Sequence, residues 1–434
     1  MDSDAAAVAR TPLTATRHNE EAREANGHTN RRDDRDRRID ATSDDADESG
    51  AAGSESNETG QCCQGWQAVN VVVTIQHPAH VHFFRPIIRE LRARGDEVRV
   101  FAREKDVALD LLDHYGLDYT VLAGKPDSLG GLARVQATYE YRLWQAVRRF
   151  NPDVMTAIGG TAVAHVSTLV GAESVIWLDN EGILAHKLTT PFADVVATPR
   201  RFRDDFGAGH VRYDGFQELA YLHPDRFEAD EEGLRNHGID PDEDYAVVRF
   251  REWSALHDVG EAGFSGADKR RLVEALDDHG DVYVVSESRL PESFRDNRLP
   301  VPPHLVHDLL SEADLYVGDS ATMSTEAALL GTPAVRCQSF ADGEDMSNFV
   351  ELGEEGLLYS TADGEQAVQM ATTLARDDPE DDWERRQNRL LETKIDVVPF
   401  AIGLLVREGG GDGEPPSERP EVPETADSAV SAMD

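Results

Sequence analysis

From residue 67 onward the chain alternates short apolar runs with longer amphipathic ones. Val69–Ile75 is unbroken apolar sequence but for Asn70 and Thr74, the pattern of a strand buried on both faces in a parallel sheet. Pro86–Arg94 predicts a helix stopped by Gly95, and Val98–Phe101 the next strand. Helix 106–114, strand 118–122, helix 132–149, strand 153–158, helix 162–170 and strand 174–178 follow. A second alternation opens at Tyr245–Phe250 and continues through helix 267–279, strand 281–286, helix 305–312, strand 314–317, helix 321–330 and strand 333–336. This rhythm predicts an α/β fold of two Rossmann-like, doubly wound domains that face each other across a cleft.

The acidic stretch Phe216–Asp244, with Pro224 and Pro241, is the expected crossing between halves. A helix near 384–407 carries Phe400, Ile402, Leu404 and Leu405 with no strand after it, so it is expected to pack back on the first domain. The expected boundaries are a tail at 1–66, a first domain at 67–222, a second at 223–385, the terminal helix at 386–408 and a tail at 409–434. Both tails have few large apolar side chains to offset the entropy of ordering, which predicts disorder.

Charge narrows the classes. The formal net charge is −40, and only five of the 43 basic residues are lysine: Lys105, Lys125, Lys187, Lys269 and Lys394. A surface this acidic stays hydrated where salt screens charge, which predicts a halophilic, archaeal-type protein. It argues against nucleic-acid binding, which needs a basic footprint. Cys62, Cys63 and Cys337 make neither a disulfide framework nor a four-ligand zinc site. No apolar run reaches the roughly 18 residues of a membrane span, and the first residues do not read as a signal peptide, so a cytoplasmic location is expected.

Asp314–Ser320 is a strand running into a tight turn, and Ala321–Leu330 a helix with a Gly331 stop and a Pro333 restart. A helix start there aims free N–H groups and the hydroxyls of Ser320 and Thr322 at the cleft, a setting that suits a pyrophosphate. Glu326, one and a half turns in, is placed to accept ribose hydroxyls. The plain alternative is that Ser320 or Thr322 only caps the helix and Glu326 is a solvated surface acid.

After the first strand, Gln76–Pro86 holds His77, His80 and His82. With Pro78 in the turn the three share no face, and no clustered acid or Cys completes a metal shell, so no metal is expected. They either brace the loop or one serves as a general base, since imidazole titrates near neutrality. Gly159-Gly160 forms a turn between strand and helix, either a plain left-handed turn or a ligand loop. Asn180 and Glu181 are polar residues at the next strand's end, and Arg249 and Arg251 end the first strand of the second half. Arginines there suit diphosphate charge, or else pair with surface acids such as Glu252.

The string Ser320–Glu326 resembles the donor-binding motif of glycosyltransferase-B (GT-B) enzymes and of the non-hydrolysing UDP-N-acetylglucosamine 2-epimerases. In the latter an acid follows the serine by six residues; their Gly-Gly is Ala321-Thr322 here. The peptidoglycan N-acetylglucosaminyltransferase has a Gly-Gly-His loop after its first strand, and counting back from Gly95 that resemblance implies His80 as the base, with His77 second. Its Gly-Gly turn and Glu-Gln-Asn-Gly-Ile resemble Gly159-Gly160 and Asn180–Ile183. Over residues 69 to 407 the chain is most similar to the family known as domain of unknown function 354, on Gln76–Pro86 and Gly318–Ala327.

These resemblances imply a GT-B enzyme whose substrate is a nucleotide-diphosphate sugar, with an unspecified acceptor and no cofactor. Glycosyl transfer is the first expectation. The epimerases place a catalytic acid where Gly160 stands and a histidine where Arg249 stands, while Glu181 matches a third acidic position, so an epimerase is the alternative. A nucleotide-sugar-binding protein without chemistry is the other.

Overall fold

Every named strand pairs in parallel with its neighbours, the outcome expected where apolar runs are covered on both faces. The computed structural model describes residues 67–105, 107–124, 129–181, 186–250, 264–286, 290–338, 345–377 and 380–412. Residues 1–66 and 413–434, and with them most of both expected tails, lie outside the described residues, as does Arg251.

The first sheet contains β1 (Asn70–Ile75), β2 (Glu97–Arg103), β3 (Thr120–Ala123), β4 (Val154–Ile158), β5 (Glu173–Trp177), β6 (Val195–Pro199) and β7 (His210–Tyr213). Its order is β3-β2-β1-β4-β5-β6-β7, so the winding reverses between β1 and β4. The second contains β8 (Tyr245–Phe250), β9 (Asp281–Ser286), β10 (Leu315–Gly318), β11 (Ala334–Cys337) and β12 (Tyr359–Thr361). There the order is β12-β11-β10-β8-β9, reversing between β8 and β10. Such reversals open crevices at the carboxyl ends of strands. Two doubly wound halves of this kind make the GT-B architecture.

Around the first sheet lie α1 (Pro78–Arg94), α2 (Ala108–His114), α3 (Leu129–Val147), α4 (Thr161–Val170) and α5 (His186–Thr189). The crossing carries α6 (Leu219–Leu222) and α7 (Glu231–Asn236). The second half adds α8 (Gly266–Leu276), α9 (Val306–Ser311), α10 (Ala321–Leu330), α11 (Ser347–Glu354) and α12 (Gly364–Asp377), and the chain continues into α13 (Glu380–Leu391) and α14 (Val397–Glu408).

Two expectations about elements are corrected. Helix α1 starts at Pro78, not Pro86: His77 adopts extended backbone as N-cap and its Nδ1 accepts from the Ala79 amide, while Pro78 fills the first turn, where no N–H is needed. Pro86 is therefore inside the helix and gives up one backbone bond. The single terminal helix becomes two, because Ile395 turns to bond Asp214 and Asp396 caps α14 while holding Arg226 at 2.7 Å.

Helix α13 packs on α10, and α14 packs on α1, α6, β4 and β5. Phe400 of α14 meets Trp177 and Tyr213 of the first sheet. One apolar cluster runs through both halves, from Val71 and Phe84 through Tyr213, Phe216 and Leu222 to Leu309, Tyr316 and Leu404. The start of the crossing, Phe216–Leu222, is thus core, whereas most residues from Pro224 to Asp244 are exposed or half-buried.

Candidate functional site

A crevice opens where the carboxyl ends of the two sheets meet. Residues following β1, β4 and β5 form one wall, α6 the floor, and the first turns of α10 and α11 the other wall.

On the first wall, His77 and His80 lie on the first turn of α1 and both line the crevice. His80 Nδ1 accepts from the Gln76 amide at 3.3 Å, so in the neutral ring the proton belongs on Nε2. Burial, then the nearby His77 and Lys105, lower its pKa to about 3. His80 therefore offers the crevice an N–H donor, whereas the sequence suggested a base. His82 faces the other way, buried, with its ring 4.5 Å from that of His307 and 5.4 Å from that of Tyr221. The three histidines do not converge, and among the described residues no three His, Cys, Asp or Glu gather as metal ligands.

The glycine turn has a packing reason. Gly159 has φ of +63°, and a Cβ on Gly160 would lie 2.3 Å from that of Ala157. Ile158, ahead of them, lines the crevice, as do Asp179 and Asn180 after β5. Glu181 turns away. It bridges the halves by accepting from the Arg203 and Ser347 amides, each at 2.7 Å, with Ser347 opening α11. Its two oxygens are engaged one with each half, so Glu181, which the sequence offered as a catalytic acid, clasps the first half to α11.

On the second wall, Ala321, Thr322 and Thr325 of α10 line the crevice beside Met346, Asn348 and Phe349. Ser320 is the helix cap, its Oγ accepting from the Met323 amide at 3.4 Å. Glu326 is 4 % exposed and lies behind the wall, which corrects the surface-acid alternative. Its Oε1 accepts from Tyr221 Oη at 2.7 Å and from His307 Nε2 at 3.0 Å. Burial alone would push this carboxyl up, but His307 and Tyr221 outweigh it and hold it low. Arg249 ends β8, and its carbonyl takes the Asp319 amide at 3.2 Å, so its backbone props the turn before α10. It is not among the residues lining the crevice.

The floor was not anticipated. Gln217, Glu218 and Tyr221 of the crossing all reach the crevice. Burial raises Asp179 to about 6, and burial together with Asp179 raises Glu218 well above the usual carboxyl range. Gln217 is 5 % exposed, and both its Nε2 and the Oδ1 of Asn348 are buried without a hydrogen-bond partner, as groups awaiting a ligand would be. One signal was available in the sequence: Gln217-Glu218 is a polar pair set between Phe216 and Leu219-Ala220, unlike the rest of that acidic stretch.

Comparison with known proteins agrees with this architecture. The family model described as protein of unknown function (DUF354) matches residues 69–399. An uncharacterized protein of Methanocaldococcus jannaschii is 22% identical over 286 residues, covering 62% of this chain and 82% of that one. Among solved structures, a Listeria monocytogenes protein described as a UDP-N-acetylglucosamine 2-epimerase aligns with a TM-score of 0.59 at 14% identity, over 81% of this chain and all of its own. The spinosyn forosaminyltransferase SpnP aligns with a TM-score of 0.54 at 16% identity, over 78% of this chain and all of its own. At these identities the likeness to the solved structures is one of fold.

Proposed function

The chain belongs to the DUF354 family, and we propose that it is a metal-independent glycosyltransferase that binds a nucleotide-diphosphate sugar in this crevice and passes the sugar to an acceptor hydroxyl. The observation that carries the reading is the opposition of two walls. The start of α10 offers N–H groups and the hydroxyls of Thr322 and Thr325, and across from it Asp179 has a proton affinity near neutrality. Helix starts favour the charge of a diphosphate, and a base poised near the working pH is the efficient one. The relatives in fold that are named for UDP-N-acetylglucosamine and for forosamine transfer support the substrate class.

Asp179 takes the proton of the acceptor hydroxyl as that oxygen bonds the anomeric carbon. The bond from that carbon to the diphosphate oxygen breaks, and its electron pair leaves with the diphosphate. The N-terminal end of α10 and the Nε2–H of His80 stabilise the departing charge, with Arg249 adding positive field from β8. Gln217, Asn180 and Asn348 satisfy sugar and nucleotide polar groups, and Ser320 and Glu326 act by holding α10 and Tyr221 in place.

A second reading is favoured by one observation. Asp179 and Glu218 line the same crevice, and removal and return of a proton at a sugar carbon needs two such groups, which would make the protein an epimerase-like isomerase. One experiment separates the readings: incubation with a panel of nucleotide sugars in molar KCl and deuterated buffer. Release of nucleoside diphosphate with a sugar acceptor supports transfer, and deuterium at sugar C2 overturns it in favour of isomerisation. Tight binding without either product indicates a binding protein.

A further inference from the structure

Among the described residues Arg336 is the only buried arginine, and none of its surface is exposed. The strand alternation puts it there. β11 reads Ala-Val-Arg-Cys, with Val335 and Cys337 turned to the apolar cluster of α8 and α12, and Ala334 and Arg336 to the opposite face, where Phe349 lies. That face is behind the second wall of the crevice, and Arg336 is not among the residues lining it. A charge taken out of water persists only when it is paired and hydrogen-bonded.

The guanidinium of Arg336 is held as a fork. Nη1 donates to Asp345 Oδ2 at 2.7 Å and to Ser360 Oγ at 3.2 Å. Nη2 donates to Asp345 Oδ1 at 3.1 Å and to Gln338 Oε1 at 3.0 Å. The guanidinium carbon stands 3.7 Å from the centre of the Phe349 ring. Three of these partners lead to the wall. Asp345 Oδ1 also accepts from the amide of Met346, which is the N-cap of α11 and has no side-chain oxygen of its own to close that end. Phe349 lines the crevice together with Met346 and Asn348. Gln338 Nε2 donates to the Asp319 carbonyl, in the turn that opens α10. One buried cation thus reaches both helix starts of the second wall.

We infer that Arg336 is the positioning residue of that wall: it sets the opening of α11, the ring of Phe349 and, through Gln338, the turn before α10, while staying clear of the ligand. Buried ion pairs add little stability over apolar residues of equal volume, so the consequence of this one is geometric. A planar fork fixes direction, which a lysine ammonium in the same place does not. That the wall takes a nucleotide rests on the proposed function; that Arg336 shapes the wall does not.

The test is amide hydrogen exchange of the full chain in molar KCl, read by mass spectrometry, with calorimetric titration of UDP, GDP, ADP and dTDP on the same samples. Arg336→Lys is expected to speed exchange at Met346–Val350 and at Met323–Ser324 by about tenfold, while amides of α8 and α12 hold their wild-type rates. Affinity for whichever nucleotide the wild type binds is expected to fall about tenfold as the wall loses its preset shape. Exchange that is unchanged, or faster by one factor across α8, α11 and α12 alike, shows a role confined to packing and overturns the assignment. Should Arg336→Lys not fold, Gln338→Ala removes the arm to α10: it must speed Met323–Ser324 more than Met346–Val350, and no change or the reverse order overturns the assignment. The two readings fail separately. A wild type that binds none of these nucleotides, with local exchange raised in Arg336→Lys, sinks the nucleotide reading and keeps the positioning. Raised local exchange with affinity intact also keeps the positioning and removes α11 from the nucleotide site. Wild-type affinity together with wild-type exchange in Arg336→Lys sinks the positioning and keeps the nucleotide reading.

Discussion

A single carboxyl in the crevice makes claims on both activity and stability. Asp179→Asn is expected to lower turnover by about 10²–10⁴-fold, the usual worth of a positioned base, while nucleoside diphosphate affinity changes little. Equal losses of affinity and turnover, measured by calorimetry and product release, would mean Asp179 is a ligand contact. The same side chain should leave a signature in stability. Its folded-state pKa is raised to about 6, so the native protein holds a proton that the unfolded chain has released above roughly pH 4. Its contribution is present in acid and lost as pH rises from about 4 through 6. Asp179→Asn is therefore expected to raise stability at pH 8, by about 1–3 kcal/mol, with the gain vanishing near pH 4. His80 works in the opposite sense: its pKa is lowered to about 3, so its contribution is present above the unfolded value near 6.5 and lost as pH falls towards 3. Thermal melts of His80→Gln across pH 4–8 should lose the acid-side slope; an unchanged slope would show that His80 is not buried neutral.

The elements that make the second wall depend on acids which the sequence suggested for ligands or chemistry. Glu326 joins α10 to Tyr221 on the crossing and to His307 on α9. Removing it leaves two buried groups unpartnered, so Glu326→Ala is expected to cost about 2–4 kcal/mol of stability as well as weakening nucleotide binding. A variant that binds nucleotide poorly yet melts like the wild type would restore the simpler idea that Glu326 touches the ribose. Glu181 holds the amide that opens α11, where a negative charge is also favoured by the helix dipole. Glu181→Gln should cost about 0.5–2 kcal/mol and loosen the two halves, seen as a larger radius of gyration in small-angle scattering. A fully inactive variant with unaltered melting and radius would contradict the clasp and point back to catalysis.

At the scale of the whole molecule, charge dominates. With a formal net charge of −40, self-repulsion opposes the compact state, and raising salt from 0.15 to 1 M shortens its reach from about 8 to about 3 Å. The melting temperature is expected to rise by several degrees between 0.15 and 2 M KCl. A flat or falling curve from scanning calorimetry would remove the argument for adaptation to salt. The shared core bears on cooperativity: α6 and α14 bury Leu222, Phe400 and Leu404 in a cluster common to both halves, so local loosening is expected at the crevice before either half unfolds alone.

What the sequence determined by itself was the repeat of apolar strand and amphipathic helix, and with it two parallel sheets. That pattern is local, since burial on both faces leaves unbroken apolar runs such as Val71–Val73 and glycine stops such as Gly95 and Gly331. Strands β6, β7 and β12 were not legible, because β7 (His-Val-Arg-Tyr) and β12 (Tyr-Ser-Thr) hold no apolar run and β6 is only Val-Val-Ala before Thr198 and Pro199. Ser320 and Thr322 were legible as a helix start, but which of the two caps and which faces the crevice was decided by the turn after β10. The roles of Glu181, Glu326, Asp179 and Glu218 belonged to tertiary structure alone. A carboxyl's chemistry depends on what surrounds it, and its surroundings come from remote parts of the chain: Ser347 for Glu181, Tyr221 and His307 for Glu326, and Asp179 for Glu218.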